Sequence, residues 1–389
     1  MVLENNLTFA KFVNREYDKT FKGFGGAKIG TTLNVRKPVR FIGRTGQAIN
    51  LENLVETQVP VTLTTQFGVD FEVTSTQMTL QIDEFSNRFI KPAVAKIANQ
   101  IDSDGLALAS TAIYNAVGTP GTTPSTLQTY LSAGALLDKT ATPRDGQRSV
   151  VINPDGQATI VGALSGLFND TVEVSKQYKT GTMGLTGGLK WSMDQNVANH
   201  TVGPLGGTPA VNGASQTGAS LITNGWTAAA APRLNQGDIF TIAGVFGVNP
   251  QSYQSTGSLQ QFVVTANVSS DGTGAATIPI SPAIVTSGSS QTVTASPAGG
   301  ALITVLGAAN TVTPQNIAFH KDAFTLACAD LDLPKAGIIE GARYSDDQLG
   351  MSIRYISAYD VTNDLWISRF DVLYGWAVLR PELACRIEG

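Results

Sequence analysis

Two histidines and two cysteines are the side chains from which acid–base or nucleophilic chemistry would be built: His200, His320, Cys328 and Cys385. A Ser-His-Asp or Cys-His site needs a histidine beside a nucleophile. Neither histidine lies in a recognisable catalytic motif, and the G-x-S-x-G elbow is absent. We therefore predict structural histidines, buried thiols and no catalytic residue. An enzyme ranks third among the alternatives, favoured only if a cleft unites a histidine with a carboxylate and a nucleophile.

Carboxylate pairs and glycine-rich stretches could bind metals or phosphates. The pairs are Asp102/Asp104, Asp330/Asp332 and Asp346/Asp347. The first resembles the start of a calcium loop but lacks the remaining spaced ligands, and two cysteines alone cannot make a metal site. Residues 23–28, GFGGAK, begin like a dinucleotide fingerprint, yet Lys28 takes the third glycine position and a strand follows. We predict solvated carboxylates, no metal site and no cofactor.

The composition restricts the class of protein. A chain of 389 residues can form two or three domains. A net charge of −4 argues against a protein whose main function is to bind nucleic acid. The first residues contain no apolar segment typical of a secretory signal, so export is not expected. No apolar run approaches the ~18 residues that a membrane helix needs, so no membrane partner is expected.

A long ribbon followed by a long helix is the clearest pattern in the chain. Apolar residues occupy odd positions over 59–73, and residues 31–42 alternate in the same way, which predicts an extended hairpin. Pro38 makes the first run an edge strand. Apolar residues then recur every three or four positions, which predicts a helix over 84–117. Pro92 either kinks this helix or lies in its first turn.

The rest of the chain predicts a mixed body with an all-β insertion. Residues 148–153 have the pattern of a buried strand, 154–156 of a turn and 157–168 of a helix. From 201 to 319 the charged residues are Arg233, Asp238 and Asp271, among short alternating runs. This segment predicts a compact β unit.

Charged residues on and beside the hairpin are the candidate contact residues. They are Arg36, Lys37, Arg40, Arg44, Glu52, Glu56, Asp70 and Glu72. Ordinary solvated charge is the simpler interpretation. The sharper hypothesis is complementary contact with neighbouring subunits, where charge sets orientation more than affinity.

Five stretches in chain order resemble the P22 coat-protein family of tailed-phage major capsid proteins. They are KIGTTLNVRKPVRF (28–41), VVINPDGQATIVGALSGLFND (150–170), MGLTGGLKWSMDQNVANHTVG (183–203), NIAFHKDAFTLACADLDLP (316–334) and RFDVLYGWAVLRPELACRI (369–387). The resemblance implies an α+β, HK97-like capsid fold. It has an N-terminal arm, an extended β-hairpin loop, a long spine helix, and peripheral and axial domains with an inserted all-β, barrel-like domain.

The resemblance also implies where each part lies. The expected parts are the arm (1–30), the extended loop (31–78), the spine helix of the peripheral domain (79–124), the axial domain (125–203 and 312–345), the inserted β domain (204–311) and the C-terminal strands of the peripheral domain (346–389). Whether the insertion stabilises the monomer or contacts neighbours stays open.

The function that the resemblance implies is a non-enzymatic major capsid protein. It would self-assemble in the host cytoplasm through pentamers and hexamers into an icosahedral head, enclosing double-stranded phage DNA without sequence-specific binding. The implied partners are further copies, a portal protein and a separate scaffolding protein, because the arm is too short to be an internal scaffold. The arm is expected to form part of the scaffold contact.

One feature of the sequence qualifies that function, and two alternatives stay open. Some relatives crosslink through a lysine on the extended loop, but residues 43–57 contain none, so a non-covalent shell is expected. The alternatives are an encapsulin-like compartment shell and, in a different class, a secreted β-rich adhesin suggested by residues 201–319.

Overall fold

The computed structural model describes residues 7–17, 21, 30–49, 51–52, 56–80, 86–164, 184–334, 336–345 and 351–388. The chain divides into two compact units. Unit 1 consists of Met1–Arg36, Gln58–Gly105 and Phe324–Leu379. Unit 2 consists of Lys37–Thr57, Leu106–Ala323 and Arg380–Gly389.

The helices and strands are numbered in chain order. The helices are α1 (Ser75–Leu80), α2 (Lys91–Ala112), α3 (Leu127–Lys139) and α4 (Pro154–Leu164). The strands are β1 (Thr32–Arg36), β2 (Gln58–Thr62), β3 (Thr65–Thr74), β4 (Ala116–Gly118), β5 (Arg148–Ile152), β6 (Leu185–Thr186), β7 (Leu189–Met193), β8 (Asn199–Thr201), β9 (Ala210–Val211), β10 (Gly218–Asn224), β11 (Ala231–Leu234), β12 (Ile239–Val248), β13 (Ser255–Val264), β14 (Val268–Ser270), β15 (Ala276–Ile284), β16 (Ile303–Val305), β17 (Val312–His320), β18 (Phe324–Ala329), β19 (Glu340–Ser345), β20 (Ser352–Asp360), β21 (Leu365–Val378) and β22 (Ala384–Glu388).

Unit 1 is built around β21, a strand of 14 residues. Strand β3 pairs with one side of β21, while β20 and β18 pair with successive parts of the other side, and β19 extends the sheet beyond β20. Phe71 of β3 stacks on Phe370 of β21, with ring centroids 6.2 Å apart. The alternating apolar pattern of β3 therefore reflects its position in this sheet.

The predicted long ribbon is two separate strands. Strand β1 pairs with β2 from Thr32 opposite Thr62 to Arg36 opposite Gln58, whereas β3 pairs with β21. The first strand ends at Arg36, so its predicted extension to residue 42 is wrong. Pro38 has no N–H to continue the ladder, which explains the stop.

The base of this short hairpin is covered by unit 1. Val35, Val61 and Leu63 pack with Ala327 and Ala377 in one apolar cluster. Beside this cluster, a side chain at Gly375 would place its Cβ 2.0 Å from the Thr62 carbonyl oxygen. Close packing of β2 over β21 therefore requires glycine there.

The long helix α2 begins later and ends earlier than the predicted span of 84–117. A π-helical turn, Ser86–Ile90, precedes its 22 residues, and Pro92 lies in its first turn. Proline is tolerated in the first turn of an α-helix, where its fixed φ already matches the helical value. Of the two alternatives for Pro92, the start of the main helix is thus confirmed.

The described part of the arm packs into unit 1. Leu7, Phe9, Ala10 and Val13 are all buried. The ring of Phe9 stacks on Trp376, with centroids 5.2 Å apart. These four side chains are therefore held inside the fold, whereas Lys11 is exposed. The contact of the arm with a scaffolding protein stays a prediction.

Unit 2 contains a mixed sheet in the order β4-β22-β17-β5-β7-β6, with β8 pairing to β17. Every residue of β5 is buried, as predicted for residues 148–152. The predicted turn at 154–156 is instead the first turn of α4, because Pro154 is tolerated at a helix start and Asn153 Oδ1 accepts the Gly156 N–H at 3.0 Å. Residues 165–168 of the predicted helix lie outside the described residues.

The predicted all-β insertion is confirmed as a nearly closed barrel. Its sheet runs β16-β12-β13-β15-β10-β9, and a bridge between Ala210 and Leu302 joins the two ends. Phe240, Phe262 and Ile278 are among the fully buried residues of its core. The alternation of apolar and polar residues, together with the small number of charged residues, thus correctly predicted strands that bury one face in a core.

The boundaries of the two units differ from those of the expected domains. Strands β18 and β19, expected in the axial part at 312–345, belong to the unit 1 sheet because they pair with β21 and β20. Strand β22, expected with the strands of 346–389, pairs with β17 and β4 in unit 2. Sheet pairing separates segments that are adjacent in sequence.

Candidate subunit interface

Exposed apolar side chains lie on the loop that connects β1 and β2. We call the following four residues the tip patch: Phe41 (61% exposed), Ile42 (53%), Ile49 (77%) and Leu51 (90%). Soluble monomers rarely expose apolar groups this close together in sequence, and such surfaces mark interaction sites.

Hydrogen bonds within the loop hold the tip patch in shape. The Glu52 carboxylate accepts the backbone N–H groups of Ile42 and Gly43, at 3.0 and 2.9 Å. Arg44 donates from Nη1 to the carbonyl oxygen of Gly46. Glu52 therefore positions the patch from inside the loop.

Two of the predicted contact residues face their own unit instead. The Arg40 guanidinium lies 3.0 Å from the Glu382 carboxylate, which also pairs with Arg380 at 3.2 Å. Lys37 is half-buried beside them. Burial lowers the pKa of the Lys37 ammonium; Glu382 opposes this effect, whereas Arg380 and Arg40 reinforce it.

The remaining candidates lie apart from one another. Arg36 and Glu56 are exposed near the two ends of the loop, while Asp70 and Glu72 are exposed on β3 in unit 1. Reasoning from charge missed both the tip patch and Glu382. The signal for the patch was the set of apolar residues within the otherwise polar segment 41–51.

A buried carboxylate lies near Asp70 in the unit 1 sheet. Asp371 accepts hydrogen bonds from Arg354 Nη2 and Arg369 Nε, both at 2.7 Å, and Arg369 Nε is also 3.9 Å from Asp70. Burial raises the pKa of Asp371, but the two arginines outweigh burial and hold it below its ordinary value of 3.8. The two arginines therefore stabilise the ionised form of the Asp371 carboxylate.

We expect Asp371 to make unit 1 sensitive to acid. A carboxyl whose pKa is lower in the folded state stabilises the fold above its unfolded-state pKa and loses this contribution as the pH falls through the folded-state value. Urea unfolding between pH 7 and pH 3 should therefore show a weaker pH dependence in Asp371→Asn than in the wild type. The exposed Asp70→Asn variant is the control and should follow the wild-type curve. Equal slopes for wild type and Asp371→Asn would contradict this assignment.

Comparison with known families identifies the kind of protein. A family model described as "P22 coat protein - gene protein 5" matches residues 3–387. The chain belongs to the P22 coat protein family. This family consists of structural capsid proteins, so the chain is a phage major capsid protein whose location is the virion capsid. The secreted adhesin alternative is thereby wrong.

Solved structures similar to this coat protein include two from phages. A structure titled "Mycobacterium phage Che8" is 14% identical, covers 98% of this chain and 90% of that chain, and has a TM-score of 0.50. "Capsid structure of the Cyanophage P-SCSP1u" is 10% identical, covers 95% and 93%, and has a TM-score of 0.47. No curated protein sequence matches the chain. The coat protein thus has the predicted α+β, HK97-like fold with its inserted barrel.

The two histidines pair with carboxylates in this coat protein. His200 Nε2 lies 2.8 Å from Asp238 Oδ1, and His320 Nε2 lies 3.1 Å from Asp145 Oδ1. Among the described residues, no serine, threonine or cysteine side chain hydrogen-bonds to either imidazole. Both cysteines are buried and unbridged, as predicted.

The carboxylate pairs behave differently from one another. Asp102 is fully buried, so its prediction as a solvated charge is wrong, and Asp104 accepts a hydrogen bond from Gln100 at 2.9 Å. Asp332 is exposed, and Asp346/Asp347 lie outside the described residues. Within the described ranges, no group of three or more His, Cys, Asp or Glu side chains could hold a metal ion. No described helix is long and apolar enough to cross a membrane.

Proposed function

We propose that this coat protein self-assembles through pentamers and hexamers into an icosahedral head that encloses double-stranded phage DNA. The observation that carries the proposal is the tip patch, with Leu51 90% exposed and Phe41 61% exposed. Burying such side chains against another molecule is favourable by about 25 cal/mol per Å² of apolar surface. The family membership of the chain supports a second copy as that molecule.

The geometry of the hairpin supports head-to-tail contact between copies. Strands β1 and β2 form a sheet of two strands only, so each has an edge that pairs with no other strand of the described residues. A surface that contacts a different surface on the next copy builds rings, and rings of five and six close a shell. Each contact can be modest because every subunit makes several.

The expected domains and charged contacts form part of the proposal. The loop between β1 and β2 acts as the extended loop, α2 as the spine helix and the unit 2 mixed sheet as the axial domain. Exposed Arg36, Arg44, Glu56, Asp70 and Glu72 set the orientation of neighbouring copies, whereas Lys37, Arg40 and Glu52 act within the subunit. Assembly takes place in the host cytoplasm with a separate scaffolding protein and a portal protein, and the shell is non-covalent.

Serine at three tip positions should strongly impair assembly without unfolding the monomer. We expect Phe41→Ser/Ile49→Ser/Leu51→Ser to lower the yield of shells at least about tenfold, since its lost apolar contacts recur at every subunit. The thermal midpoint of the monomer should move by less than about 2 °C, because exposed side chains contribute little to folding.

Negative-stain microscopy with the scaffolding protein present measures the yield. The wild type should form uniform icosahedral particles, which also tests the function itself. Val361→Ser is the control, since Val361 is 82% exposed but belongs to unit 1, whereas the loop belongs to unit 2, and it should assemble normally. Normal shells from the triple variant would show that the tip patch makes no essential contact.

A further inference from the structure

A cleft in unit 2 lies beside the base of the loop, next to the turn at 380–382 and loops of the barrel. It has two lobes, of about 240 Å³ and about 170 Å³, and both are lined by Lys37, Arg40 and Glu382. Lys139 from the end of α3 joins the larger lobe, and Arg380 joins the smaller one. All lining residues belong to unit 2.

The smaller lobe carries an excess of positive charge. Lys37, Arg40 and Arg380 provide three cations, and Glu382 is the one carboxylate among the residues that line it, so the net charge is +2. Both guanidiniums bind the same Glu382 oxygen, Oε1. One carboxylate cannot neutralise three cations held this close together.

Lys37 is the cation left without a partner. Its ammonium makes no hydrogen bond or ion pair with any part of the chain that the structure describes, although its backbone N–H bonds to Thr57 at 2.8 Å. A half-buried ammonium without a partner is costly, because burial removes water and offers no acceptor in exchange. A small anion in the lobe would supply that acceptor.

The lining of the smaller lobe suits an anion with several oxygens. Thr57, Ser289 and Ser290, which carry hydroxyl groups, line it together with the cations. Guanidinium groups present parallel N–H donors that match tetrahedral oxyanions, and an ammonium adds a point charge. We propose that this lobe binds a phosphate group, with Lys37, Arg40 and Arg380 as its charged ligands. The phosphate belongs either to the free ion or to the backbone of DNA.

Thermal unfolding of the full-length monomer tests the proposal. In 20 mM sodium phosphate we expect the midpoint to rise by about 2–3 °C over sodium chloride of equal ionic strength, as for a dissociation constant of roughly 1 mM. Lys37→Gln should remove this rise, whereas Lys37→Arg keeps the charge and should retain most of it. Lys190→Gln, at an exposed lysine of β7, is the control and should behave as the wild type.

Calorimetric titration distinguishes the two sources of phosphate. Inorganic phosphate and a 12-base-pair DNA duplex are titrated separately into the wild type and Lys37→Gln at low salt. Binding of the free ion alone, or of the duplex as well, supports the site if Lys37→Gln weakens it at least about tenfold. No phosphate-specific rise in the wild type, or equal binding by the folded Lys37→Gln variant, would overturn the proposal. The monomer readout makes this outcome independent of shell assembly.

Discussion

Replacement of Asp102 by alanine should lower the free energy of unfolding of the monomer by about 3 kcal/mol and release the arm from unit 1. Asp102 on α2 is fully buried, and its carboxylate accepts the backbone N–H groups of three successive arm residues, Thr8, Phe9 and Ala10. Hydrogen bonds to a charged acceptor contribute about 1.5–3 kcal/mol each, so the Asp102 carboxylate should contribute strongly to holding the arm.

The loss should be smaller than the sum of three such bonds. Without the carboxylate, the arm can undock and expose its N–H groups to water, so the cost is limited to the free energy of docking. That docking buries Leu7, Phe9 and Val13, and the ring of Phe9 lies between Phe324 and Trp376. Undocking therefore also exposes apolar surface of the unit 1 sheet.

Urea unfolding and limited proteolysis measure the two consequences separately. Asp102→Ala should unfold at lower urea concentration, and protease should cut near Lys11 and Arg15 before any other part of the chain. Asp155→Ala, at an exposed carboxylate of α4, should lose less than about 1 kcal/mol and remain resistant in the arm. An Asp102→Ala variant with wild-type stability and a protected arm would show that apolar packing alone holds the arm.

Alternation in sequence revealed which residues form strands but not which strands pair. Residues 59–73 keep one period of two across β2 and β3, although β2 pairs with β1 and β3 pairs with β21. A period of two shows which face of a strand is buried. The same period results whichever strand is the partner, so it does not identify that partner. The barrel was easier to predict because its strands pair within one continuous segment.

The positions of charged residues in the sequence likewise could not show whether a charged side chain pairs within its own subunit or with a neighbouring subunit. Arg40 and Lys37 stood out beside the hairpin, but Glu382, more than 300 residues further along, is the carboxylate that meets Arg40. Asp102 had a usable signal that was overlooked. It lies four residues after Ala98 and four before Leu106, both buried on the same face of α2, so a carboxylate there had to be buried too.

Arg386 in β22 is a fully buried charged residue of unit 2, as Asp102 is of unit 1. Its Nη1 donates to the Ser110 carbonyl at 2.8 Å and to Gln315 Oε1 at 3.1 Å, while Nη2 donates to the Gly237 carbonyl at 2.7 Å. These acceptors lie on α2, on β17 and in the turn before the barrel strand β12. One side chain therefore links the last strand of the chain to the helix, the mixed sheet and the insertion.

A carboxylate near Arg386 depends on its charge. Glu388 Oε1 lies 3.6 Å from Arg386 Nε. Burial raises the pKa of Glu388, and Arg386 counteracts this rise. Removing the guanidinium would take a hydrogen-bond donor from three acceptors and would leave the buried Glu388 carboxylate without this counter-charge.

We expect Arg386→Met to lower the free energy of unfolding by at least about 4 kcal/mol near neutral pH. Because a raised carboxyl pKa destabilises the fold progressively as the pH rises through that value, the deficit should be smaller at pH 5 than at pH 8. Adding Glu388→Gln should remove this extra pH dependence and recover part of the stability, whereas Arg343→Met, on an exposed side chain, should cost less than about 1 kcal/mol. Urea unfolding of the three variants at both pH values measures these differences. A loss below 1 kcal/mol in Arg386→Met would mean that the barrel and the mixed sheet hold together by apolar packing, with the guanidinium contributing little.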